Sequence, residues 1–158
     1  MFKLDDRDIA ILRVLCTQGR ITNAQLAEHV GLSASPCWER VRKLEQAGII
    51  DGYEARISLK KISPVITVFV TAELTDHTAA AFRRFEAHIN RLPEITACWA
   101  LGGGFDYLLQ VVTRDIEAYQ AAMDAILEAD VGLARYFTYV VTKPVKTGGP
   151  PPFDQLLG

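Results

Sequence analysis

Only Gly31 and Leu32 separate the end of one helical pattern from the cap of the next, and no other stretch of the chain restricts its fold so tightly. A connection this short turns two helices sharply against each other, the defining step of a helix-turn-helix unit. The flanking signals agree. A first helix is predicted from Asp5, an N-cap with Asp8 in the favourable first turn, to Gly19. Its expected apolar stripe is Ile9, Leu12, Leu15 and Cys16. A second begins at Thr22, with Gln25 three residues on as a capping box, and turns Leu26, Ala27 and Val30 inward before Gly31 stops it. The third is capped by Ser33. Pro36 is tolerated there because first-turn amides have no intrahelical partner. Cys37, Val41 and Leu44 form its inner stripe, Gly48 closes it, and Ile49 and Ile50 return to the core.

With that stripe inward, the third helix presents Ser35, Trp38, Glu39, Arg42 and Lys43, with Arg40 at the border. Arginine pairs bidentately with guanine, hydroxyls and lysine hold phosphates, and an α-helix fits the major groove. A small helical bundle with a solvated outer face satisfies the same spacing.

Beyond residue 64 the pattern changes. Residues 65–74 alternate as a strand, and 78–92 form an amphipathic helix with Phe82, Phe85, Ile89 and Leu92 on one face, stopped by Pro93. Strands at 95–101 and 105–113 flank Gly102-Gly103-Gly104, a hairpin by turn chemistry. Asp115 caps a helix carrying Ile116, Tyr119, Met123, Ile126 and Leu127, and 133–143 form a last strand. The order βαββαβ is the ferredoxin-like plan, so the fold class is α+β: a helix-turn-helix (winged-helix-like) domain followed by a ferredoxin-like domain. Its helices cover one face of the sheet. The first strand is apolar on both sides, with Ile66, Val68, Val70, Ala72 and Leu74 opposing Val65, Thr67, Phe69, Thr71 and Glu73. In the last strand Phe137, Tyr139 and Val141 oppose Tyr136 and Val140. A solvated face is mostly polar. A second copy is therefore expected to cover it, giving a sheet-to-sheet dimer.

Composition narrows the classes. An apolar share of 49% in 158 residues excludes global disorder. The net charge of −2 speaks against a wholly basic nucleic-acid coat protein, yet it is unevenly spread: residues 1–63 carry 10 basic and 8 acidic side chains, residues 64–158 carry 7 and 11. No apolar run reaches the roughly 18 residues of a membrane span, and MFKLDDRD is no secretory signal. Cys16, Cys37 and Cys98 are odd in number and widely spaced, which predicts buried reduced thiols in a cytoplasmic protein. With His29, His77 and His88 scattered, no metal site and no cofactor are expected, and no catalytic constellation supports an enzyme.

The runs LDDRDIAILRVL and GRITNAQLAEHVGLSASPCWERVRKLEQAGIIDGY strongly resemble the DNA-binding half of the Lrp/AsnC (feast/famine) transcriptional regulators. The second half, including GGFDYLLQVV, resembles their ligand-sensing domain; together they cover about residues 2–147. The resemblance implies a DNA-binding domain over 1–50, a strand-like hinge over 51–63, and a sensing and oligomerisation domain over 64–147; the tail over 148–158, with GGPPPF, extends past the resemblance and is expected to be a flexible end. It implies homodimers that build octamers, double-stranded promoter DNA as partner, and a small effector, usually an amino acid, that biases assembly or DNA affinity. DNA contact is then expected from Ser33, Ser35, Pro36, Trp38, Glu39, Arg40, Arg42 and Lys43. The family's sensing motif reads here Gly103, Gly104, Phe105, Asp106 and Tyr107. Glycines expose amides that hold a carboxylate, and Asp106 offers an anion to an ammonium group. Gly102 and Tyr136 stand where members often carry threonine, Trp99 lies just before the loop, and Thr138 keeps an expected hydroxyl. An architectural DNA-packaging protein with no small-molecule response is the alternative.

Overall fold

The computed structural model describes residues 3–157, and the chain divides into two units. One comprises residues up to Arg56 together with those from Lys146 onward; the other runs from Ile57 to Val145.

In the first unit, α1 (Asp6–Thr17), α2 (Asn23–Val30) and α3 (Ala34–Gln46) form the helix-turn-helix. Asp5 and Thr22 each close a capping box, with Asp8 and Gln25 respectively. Ser33 occupies the N-cap position of α3, but its side chain makes no capping hydrogen bond. Gly31 ends α2 in the left-handed conformation, at φ 64°. A Cβ there would also lie 3.2 Å from Arg7 Nη1, whose guanidinium donates to the Val30 carbonyl. Any side chain at this turn is therefore strained twice. The core gathers Ile11, Leu12, Leu26, Ala27, Val30, Cys37 and Leu44. Helix α1 is rotated from its expected stripe: Ile11 is fully buried, Ile9 half-buried, and Cys16 exposed. The rotation has a polar cause. Asp8 is itself buried, and its carboxylate receives Arg40 Nη1 at 2.7 Å.

That arginine also donates to Asp5 Oδ2 at 2.7 Å. The Asp8 backbone amide and then Arg40 hold the Asp5 carboxyl below its ordinary value of 3.8. A lowered folded-state value gives stability that is present above pH 3.8 and lost as pH falls through the folded value. Thermal unfolding of Asp5→Asn should accordingly show a weaker fall in melting temperature over this acid range than the parent chain.

Two segments differ from expectation. Residues 51–63 form no strand; they are exposed throughout and hold only the single 3-10 turn Leu59–Lys61. A strand exists only as half of a ladder, and this segment has no partner edge among the described residues. The tail is not simply a flexible end. Phe153–Leu157 form α6, Phe153 packs on the core of the helical unit, and Arg13 Nη2 donates to Asp154 Oδ1 at 2.5 Å.

The second unit is a four-stranded antiparallel sheet with β1 (Ile66–Leu74), β2 (Ile95–Ala100), β3 (Tyr107–Thr113) and β4 (Leu133–Val140) in the order β2-β3-β1-β4. Helices α4 (Ala79–Ile89) and α5 (Ile116–Glu128) are capped by Thr78 and Asp115. This is the expected ferredoxin-like plan. The core lies on the helix side, where Val68, Val70, Ala72 and Leu74 of β1 and Tyr107, Leu109 and Val111 of β3 meet Phe85, Ile89, Tyr119, Met123 and Ile126. On the opposite face Phe69, Leu108 and Val112 are half-buried, while Trp99, Phe137 and Tyr139 are 47%, 44% and 54% exposed.

Candidate nucleic-acid interface and effector loop

The inward stripe of α3, Cys37 and Leu44, fixes which residues face out. Ser33, Ser35, Pro36, Trp38, Glu39, Arg42 and Lys43 are all exposed. Asn23 Nδ2 donates to the Ala34 carbonyl at 2.8 Å and ties the start of α2 to the start of α3. Sequence reasoning missed Asn23, although a polar residue just after a helix cap was a readable signal. The Arg42 guanidinium lies over the Trp38 ring, 5.2 Å from its centroid. This stacking narrows the rotamers of a long cation without neutralising it. Among the described residues neither Arg42 nor Lys43 forms an ion pair.

Arg40 differs. It is half-buried and committed to Asp5 and Asp8, so its expected role at DNA does not fit the structure. A guanidinium bound to two carboxylates is neutralised and anchored, and presenting it to a base would leave the buried Asp8 carboxylate without its cation. Of the two arginines of α3, Arg40 is committed to carboxylates and Arg42 to the face of Trp38.

A tyrosine steadies the end of this unit. Tyr53 donates to Glu45 Oε1 at 2.9 Å, and although the residue is half exposed its hydroxyl is pushed up to about 12, first by local desolvation of that group and then by the carboxylate.

The residues expected to bind an effector fall on both sides of the sheet. Register decides this: Val70 pairs with Thr138 and Ala72 with Tyr136 and Tyr107, so these three share the helix-covered face. Tyr107 is 3% exposed and donates to Glu86 Oε1 at 2.7 Å. Burial, then Glu86, raises its pKa. Thr138 Oγ1 and the Tyr119 hydroxyl are 2.5 Å apart. Trp99 is on the other, open face, and the Phe105 ring meets Phe137 edge to face at 5.6 Å. Phe137 and Tyr139 were outside the expected set.

Gly102, Gly103 and Gly104 are exposed, and a Cβ on any of them would meet nothing within 4 Å. The loop they form is held by Asp106. Its Oδ2 accepts the Leu74 amide at 2.7 Å, its Oδ1 lies 3.1 Å from His77 Nε2, and its backbone amide donates to the Ala72 carbonyl. Both carboxylate oxygens therefore have protein partners. His77 was not singled out from sequence, because nothing in a β1–α4 loop marks a histidine for a residue some thirty positions away.

Among the described residues no group of three or more His, Cys, Asp or Glu side chains could hold a metal ion. No helix of the described residues is long and apolar enough to cross a membrane. A helix-turn-helix with an unpaired basic outer face, joined to a ferredoxin-like unit with a glycine-rich loop, defines a two-part DNA-binding regulator. Two family models match: a winged helix-turn-helix DNA-binding domain over residues 4–51 and the Lrp/AsnC ligand binding domain over residues 67–151. The chain belongs to the Lrp/AsnC family of transcriptional regulators. It is 51% identical over 144 residues to the transcriptional regulatory protein DoeX of Halomonas elongata, covering 91% of each chain. It is 38% identical to the Bkd operon transcriptional regulator of Pseudomonas aeruginosa, over 96% of this chain and 99% of that one. Among solved structures, a transcriptional regulator from Neisseria meningitidis in complex with L-Met superimposes with a TM-score of 0.91 at 34% identity, over 98% and 99% of the two chains.

Proposed function

We propose that this regulator reads promoter DNA in the cytoplasm with the exposed face of α3, pairs through the open face of its sheet into dimers that build an octamer, and changes assembly when a free amino acid or related metabolite binds beside the 102–106 loop. The observation that carries the reading is the division of labour on α3. Arg40 is spent on Asp5 and Asp8, while among the described residues Arg42, stacked on Trp38, and Lys43 face outward with no ion pair. Ser33, with its hydroxyl unused in capping, and Ser35, exposed beside it, would hold phosphates. Pro36 and Glu39 border that face.

An amino acid is favoured as effector by the exposed glycine amides, and by the L-Met complex of the Neisseria relative. The structure alters the role proposed for Asp106. With its oxygens on Leu74 and His77, it acts first as the clasp that shapes the loop. Asp106→Ala should leave ligand-free DNA binding intact and reduce the effector-induced thermal shift at least tenfold in ligand sensitivity. Loss of DNA binding as well would make Asp106 a general structural residue and overturn this assignment. The reading as a whole is tested by gel shift with DNA upstream of the protein's own gene, followed by a thermal-shift screen of the twenty amino acids. DNA binding with no stabilisation and no change in oligomer mass would favour a packaging protein instead.

A further inference from the structure

Four side chains on the helix-turn-helix unit sort into two pairs. Trp38, Arg42, Glu45 and Tyr53 line one recess, over the apolar Leu26 and Val41. Arg42 and Glu45 stand three residues apart on α3, the spacing at which opposite charges on a helix meet. They nevertheless form no ion pair. The Arg42 guanidinium lies 5.2 Å from the centroid of Trp38, and Glu45 Oε1 accepts the Tyr53 hydroxyl at 2.9 Å. The other carboxylate of α3, Glu39, borders recesses with Arg40 and Lys43 and with Trp38, whereas Glu45 shares its recess with Arg42.

Tyr53 reaches this place from the segment that follows α3, and it is seated from the far side by α1. Its ring lies over Gly19, just beyond the end of that helix, where a Cβ would come 3.8 Å from Tyr53 Cδ1. Because the hydroxyl keeps its proton up to about 12, it is a donor throughout the neutral range. A neutral donor satisfies a carboxylate without adding a charge that would repel the neighbouring guanidinium. All of these residues belong to the one unit that includes everything up to Arg56.

We infer that Tyr53 is a positioning residue for DNA recognition: by holding Glu45 it keeps that carboxylate off Arg42 and leaves the guanidinium free to meet the duplex. This role rests on the contact with DNA proposed above for Arg42. Released from the hydroxyl, Glu45 has an arginine one turn back on its own helix. Any ion pair formed there has to be broken before Arg42 engages DNA, so the cost falls on affinity and not on the fold.

The test is a set of affinity measurements on the full chain with a duplex from upstream of its own gene, each made well below the variant's melting temperature. Tyr53→Phe keeps the ring and removes the donor. Affinity should fall about twofold to fivefold, the range set by an exposed ion pair that competes for Arg42. In a chain that already carries Glu45→Gln, Tyr53→Phe should cost nothing measurable. Glutamine keeps an acceptor oxygen for the hydroxyl but has no charge, so a merely structural hydrogen bond would be missed equally in both backgrounds. Equal losses therefore overturn the inference, as does the absence of any loss when Glu45 is present. In the Arg42→Ala background Tyr53→Phe should again be silent, and a persisting loss there is equally fatal. The remaining outcomes separate this role from the reading beneath it. If Arg42→Ala weakens binding while Tyr53→Phe does not, only the role of Tyr53 fails. If Arg42→Ala leaves affinity unchanged, the proposed contact of Arg42 with DNA fails, and the role of Tyr53 falls with it.

Discussion

Arg42→Ala should weaken binding to promoter DNA roughly tenfold to a hundredfold, the effect of about 1–3 kcal/mol expected for an arginine that reads a base edge, and leave the melting temperature unchanged. Arg40→Ala, two residues away on the same helix, should do the reverse. Its removal strips the buried Asp8 carboxylate and the Asp5 cap of their shared partner, and about 1–2 kcal/mol of stability should go with it. DNA affinity measured well below the melting temperature should then change by less than threefold. The pair is informative because charge and helix propensity change identically. Equal losses of affinity in both variants would show that only the net positive charge of α3 matters. Trp38→Phe should retain most of the Arg42 contribution and Trp38→Ala should lose part of it, since the ring's role is to hold the guanidinium in place.

Phe137→Asp should convert the assembly to a 17.5 kDa monomer in multi-angle light scattering. The ring is 44% exposed in the single chain, so an aspartate there is tolerated without a partner. Facing a second copy it would place two carboxylates in an apolar seam, at a cost of several kcal/mol. Affinity for DNA with two half-sites should drop by a factor on the order of 10²–10⁴, because bivalent attachment is lost, while affinity for a single half-site stays unchanged. A multimer of undiminished mass would refute the sheet-to-sheet pairing.

Helix ends were largely legible in the sequence because capping is local chemistry: Asp5 with Asp8 and Thr22 with Gln25 are each satisfied within one turn. The rotation of α1 was not. It depends on Arg40, some thirty residues distant, which draws Asp8 inward, and a periodicity count places an aspartate outside by default. The alternation of β4 was legible, but which of its faces meets the helices was not, for another reason. Tyr136 and Thr138 alternate with Phe137 and Tyr139, so the strand offers little polar contrast to phase it. Only its register against Val70 and Ala72 shows which side meets the helices. The expected effector set split across the sheet for the same reason. The tail was misread because GGPPP describes a loop well and says nothing of the phenylalanine that follows.

Both outer strands of the sheet carry a register shift: Thr96 is the extra residue in β2, between Ile95 and Ala97, and Ala134 the extra one in β4, opposite Glu73 and Leu74. A bulge bends and twists the strand that bears it, and so spoils it as a template for a neighbouring chain. Rim-to-rim addition of further sheets would have no natural end and would grow into a filament. The proposed stacking through the broad aromatic face would be self-complementary and complete once two copies had met. On the proposed pairing, the two misfit residues would set a limit on growth: they disfavour the open-ended route and leave the finite one.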